Sequence, residues 1–100
     1  MILGAGKVYL QIPGCNSLKE KRMVIRSIMD RVRAKFKISV GEVGKNDIHH
    51  LADIGFACVG NEEQHVRQII NKVFDFINLS GRALVIDEKA YIYYFEDSFK

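Results

Sequence analysis

KVYLQIPGCNSLKEKRMVIRSI, residues 7–28, changes its period halfway along, and that change decides the fold. In its first half Val8, Leu10 and Ile12 alternate with Lys7, Tyr9 and Gln11. A two-residue repeat is the pattern of a strand with one buried face. Pro13-Gly14 ends that strand. Beyond it Leu18, Ile25, Ile28, Met29, Val32 and Phe36 fall on one side of a 3.6-residue repeat, which predicts a helix running to about residue 36. Ser17 is the expected N-cap, with Asn16 as the alternative. Ser17-x-x-Glu20 has the spacing of a capping box, which satisfies two backbone donors left over at a helix start.

The same two periods recur along the rest of the chain. Residues 1–12, 38–43 and 51–59 read as strands, with a turn at Gly44-Lys45-Asn46-Asp47. Asn61 is the expected cap of a second helix, with Glu62 and Glu63 in the first turn, where the backbone dipole favours acids. Val66, Ile69, Ile70, Val73, Phe74 and Ile77 give that helix its apolar stripe, and Ser80-Gly81 its stop. Residues 82–95 are strand-rich, forming either one long strand or a short hairpin about Asp87-Glu88-Lys89.

The order is β-α-β-β-α-β. Two amphipathic helices must bury their stripes on one face of a four-stranded antiparallel sheet, the ferredoxin-like α+β arrangement. Right-handed crossovers place the first and third strands in the centre and leave the other sheet face open. A chain of 100 residues, 48% of them hydrophobic, makes a single domain over residues 1–100. No apolar run approaches the ~20 residues of a membrane span, and residues 1–13 lack the charged and long apolar regions of a signal peptide. A cytoplasmic protein is expected, with Cys15 and Cys58 as free thiols.

Net charge is only +3, but residues 18–37 carry eight cations against two acids. Lys19, Arg22, Arg26, Arg33 and Lys37 are spaced near whole helical turns and predict a positive row beside the apolar stripe. Such a row suits the phosphates of a nucleic-acid backbone. With Ser17 and Lys21 it forms the candidate anion-binding set, because free N–H groups at a helix start also attract anions. The competing reading is that long cationic stems shield the helix edge while their heads stay in water.

Residues 54–59, IGFACV, match in part the central-strand signature of RNA-recognition motifs, with Phe56 in an aromatic place but Ile54 where a basic residue belongs. Tyr9 and Phe56 are therefore the candidates for stacking bases, with a place in the core the equal alternative for Phe56, because the pattern does not assign which side of the sheet it faces. Cys15, beside a helix start and several cations, is a candidate reactive thiol, although no histidine lies near it in sequence to take its proton. Asp47, His49, His50 and Asp53 are too irregularly spaced for a metal centre, and Gly4-Ala5-Gly6-Lys7 satisfies neither the phosphate-loop nor the dinucleotide pattern. No metal, cofactor or catalytic constellation is expected. Tyr91, Tyr93, Tyr94 and Phe95 make the densest aromatic cluster, expected to cap the core or to join two subunits through the sheet face or edge.

PGCNSLKEKR, RVRAKFKISVGEV and GFACVGNEEQHV together resemble the YlxP-like family, over about residues 1–90. These are small bacterial proteins, often encoded beside factors for transcription, translation initiation and ribosome maturation. The resemblance implies a ferredoxin-like fold, carries over no catalytic residues, and points to work near the ribosome. Cys15 departs from the small residue expected there, and the tail from residue 89 to 100 is more aromatic than expected. The combined expectation is a non-enzymatic RNA- or ribosome-associated protein. The alternatives are a homodimeric module binding an acidic protein, and a Cys15 thiol enzyme or redox sensor.

Overall fold

The computed structural model describes residues 1–96; the end of the aromatic tail, residues 97–100, lies outside the described residues. Six elements follow in order: β1 (Ile2–Gln11), α1 (Leu18–Phe36), β2 (Ser39–Gly44), β3 (Leu51–Gly60), α2 (Glu63–Asn78) and β4 (Leu84–Tyr94). All pairings are antiparallel and the strands lie in the order β2-β3-β1-β4, so the first and third strands are central. This is the ferredoxin-like arrangement that the alternating periods predict. No described helix is long and apolar enough to cross a membrane.

Alternation sorts the sheet into two faces. Val8 and Leu10 of β1 and Ala52, Ile54 and Phe56 of β3 point into the helix layer and are buried. There they meet Ile25, Ile28 and Val32 of α1 and Val66, Ile70, Val73 and Ile77 of α2 in one core. Each of the larger of these side chains contributes about 1.5–3 kcal/mol on removal from water, and Cys15 and Cys58 are free thiols.

Phe56 belongs to this core, which removes it from the stacking candidates and selects the core reading of the two the sequence leaves open. It pairs with Gly6 across β1 and β3, and a Cβ at Gly6 would overlap its ring. The ring also meets Phe74 edge-on, with centroids 5.6 Å apart. The glycines of Gly4-Ala5-Gly6 therefore make room for neighbours: a Cβ at Gly4 would collide with Val66 of α2. Alternation shows that Phe56 shares a face with Ile54 and Cys58; only tertiary packing decides that this face is the covered one.

Three local details refine the expected boundaries. Ser17 is the N-cap of α1, its Oγ accepting from the Glu20 N–H at 3.1 Å, while the Glu20 carboxylate accepts from Asn16 N–H at 2.9 Å. The reciprocal bond of the capping box thus lands one residue earlier than in the standard form. α2 starts one residue later than expected, with Glu62 as N-cap and no side-chain cap bond, so Asn61 is not the cap. β4 is one strand rather than a hairpin. Tyr9 pairs with Asp87 and Leu10 with Val85, so Ile86 is an inserted bulge that lets Asp87-Glu88-Lys89 run through.

Candidate anion-binding face of the first helix

The outward side of α1 carries Lys19, Arg22 and Arg26, all exposed. At separations of three and four residues they stand one above the next. With Met23, Ser27 and Asp30 they line a shallow groove of about 470 Å³. Among the described residues none of the three cations has an ion-pair partner.

The other members of the candidate set are placed differently. Arg33 is engaged: one guanidinium nitrogen meets Asp30 at 3.1 Å and the other donates to the Val40 carbonyl of β2 at 2.7 Å. Lys37 is exposed but sits at the far end as the left-handed C-cap of α1 (φ 54°), and it lines a separate groove with Leu3 and Val59. The Ser17 hydroxyl is engaged by its own helix, and Glu20 supplies the negative charge at the helix start.

Lys21 is the main correction. Its side chain is only 2% exposed, and its Nζ donates to the carbonyls of Lys45 at 2.5 Å and Ile48 at 2.8 Å and pairs with Glu42 at 2.8 Å. It fastens the first turn of α1 to the β2–β3 connection and is closed to a phosphate. A sequence signal for this existed: Lys21, Ile25, Ile28 and Val32 follow the spacing of the buried stripe, with a cation in the first place. The cationic opening of α1 thus resolves into one acid that caps, one lysine turned inward, and Lys19 with Arg22 turned outward.

The stacking candidates do not join this face. Tyr9 is half-buried on the open side of the sheet, away from the helix layer. Lys7 and Lys89 hold their ammonium groups 4.8 Å and 5.6 Å from its ring centroid. Beside it the buried Asp53 lies 3.9 Å from Lys7 and 3.7 Å from Lys45. Tyr9 and Phe56 point to opposite faces, so they form no joint platform.

Cys15 is buried, with its thiol donating to the Ser17 carbonyl at 3.3 Å. Cys58 is buried as well, and loss of solvation pushes its thiol pKa up from the ordinary value of 9.0. Among the described residues no three His, Cys, Asp or Glu side chains gather as a metal centre.

Residues 3–90 match the profile of a family described as "Protein of unknown function (DUF503)". The chain is also similar to "Uncharacterized protein YlxP" of Bacillus subtilis (strain 168). The two are 31% identical over 77 residues, which is 77% of this chain and 84% of that protein. A central strand opened by small residues, a capped SLKEKR helix start and these two matches agree, and the chain belongs to the YlxP-like DUF503 family.

Proposed function

We propose that the protein binds the phosphate backbone of RNA through Lys19, Arg22 and Arg26 and acts, without catalysis, in association with ribosomal particles in the cytoplasm. One observation carries this reading: three exposed cations share a row on α1 and have no carboxylate partner among the described residues. Unpaired cations in a row repel one another, and a polyanion relieves that repulsion while releasing its own counterions. The row reads backbone alone, because the described aromatic candidates lie in the core or across the sheet. The genomic setting implied by the family resemblance agrees with a ribosomal partner.

The test is Arg22→Glu combined with Arg26→Glu, both on the exposed side of α1. The variant is expected to keep the native circular dichroism spectrum and to lose RNA retention at low salt. A folded variant that binds RNA as tightly as the native chain would overturn the reading. Co-purification with ribosomal particles that survives nuclease would assign the same cations to an acidic protein instead.

A further inference from the structure

The two edges of the sheet are protected unequally. β2 is short, its pairing with β3 shifts between Glu42 and Gly44, and the Val40 carbonyl is taken by Arg33. The first half of β4 is guarded too, by the Ile86 bulge and by Asp87, whose carboxylate accepts from the Glu88 N–H at 2.8 Å. Bulges, charges and occupied backbone groups are the devices that stop strand edges from pairing.

The second half of β4 carries none of them. Met1 and Phe95 exchange both backbone hydrogen bonds, at 3.0 and 2.9 Å. Antiparallel pairing alternates, so Tyr93, Tyr91 and Lys89 also turn their backbone groups to β1. Ala90, Ile92 and Tyr94 turn theirs outward. Around this bare edge Tyr91, Tyr93 and Tyr94 are 40%, 50% and 60% exposed.

We propose that the second half of β4 pairs antiparallel with the same segment of a second copy, with the two-fold axis at Tyr91. In this register Ala90 exchanges hydrogen bonds with the partner's Ile92, and Glu88 faces the partner's Tyr94. On the open face Tyr91 meets its own counterpart and Lys89 lies beside the partner's Tyr93, an ammonium against a ring. Every charge of Asp87-Glu88-Lys89 then faces an aromatic residue. Sliding the strands one pleat repeat toward the bulge sets Tyr94 against Ile86. A further slide opposes Lys89 to itself, and the next opposes Glu88 to itself, both unfavourable. Sliding one pleat repeat away from the bulge opposes Glu88 to the partner's Glu96, so of these registers the one centred on Tyr91 avoids both the bulge and opposed like charges, and this self-complementarity favours a second copy over a foreign strand. The two sheets become one of eight strands.

Tyr91 would form a pair without mutual hydrogen bonds, whose Cα atoms stand about 4.5 Å apart, within reach of a disulfide. Sedimentation of the native chain at tens of micromolar is expected to give a dimer. Tyr91→Cys is expected to cross-link nearly completely on mild oxidation and Leu84→Cys not at all, with Cys15 and Cys58 buried and silent. Ala90→Pro removes an outward N–H without touching the β1 pairing and is expected to give a folded monomer. A native monomer overturns the proposal, as does a dimer in which Tyr91→Cys does not cross-link. That cross-link decides the matter even where the proline variant fails to fold.

Discussion

Lys21 shows how one side chain can belong to a charged sequence and to a buried core at once. Its stem continues the stripe of Ile25, Ile28 and Val32, and its ammonium meets Glu42 and two carbonyls of the β2–β3 connection. Truncating one partner of such a pair leaves the other poorly solvated and costs about 3 kcal/mol or more. Lys21→Ala is therefore expected to lower the melting temperature by roughly 12–24 °C in a domain of this size. Arg22→Ala, one residue on, is expected to move it by only a degree or two. Thermal unfolding followed by circular dichroism checks both. The sequence showed Lys21 as one more member of a cationic run. The stripe spacing marks its position as inward-facing, but the carbonyls that receive its ammonium lie more than twenty residues away and are not part of that local pattern.

At the scale of the element, α1 was legible and its surface only partly so. Periodicity and the Ser17 cap place the helix at both ends, because those signals are local. Which cations remain available depends on neighbours: Asp30 and Val40 engage Arg33, and the helix end sets Lys37 apart. The row contracts from the five cations read off the spacing to three. That contraction is measurable. Three neutralised phosphates give a log–log salt slope of about −2 to −3, and five about −3.5 to −4.5. RNA affinity is thus expected to fall about 16- to 64-fold between 50 and 200 mM salt, and a slope beyond −3.5 would restore Arg33 and Lys37 to the interface. β4 was less legible than α1, since Asp87-Glu88-Lys89 has turn chemistry and only the Ile86 bulge keeps it in a strand.

Across the whole molecule the two layers divide the work. The helix layer exposes the cationic row, and the open sheet face holds Tyr9 between two lysines beside Asp53. Sequence alternation separates the faces but does not say which one the helices cover, so the side that Phe56 faces is not legible without the packing. With Tyr9 across the sheet from α1, Tyr9→Ala is expected to leave RNA affinity within twofold of native. A tenfold loss in a direct binding titration would move the interface to the sheet.

The strand order carries a consequence for the chain as it is made. β1 is synthesised first and sits at the centre of the sheet, yet both its partners, β3 and β4, come later. At about 5–20 residues per second, β1 waits roughly 4–15 s between its own completion and the appearance of β4. Once β3 has followed, one edge of β1 is paired and the other stays bare until β4 arrives, so the sheet is completed on the β4 side last.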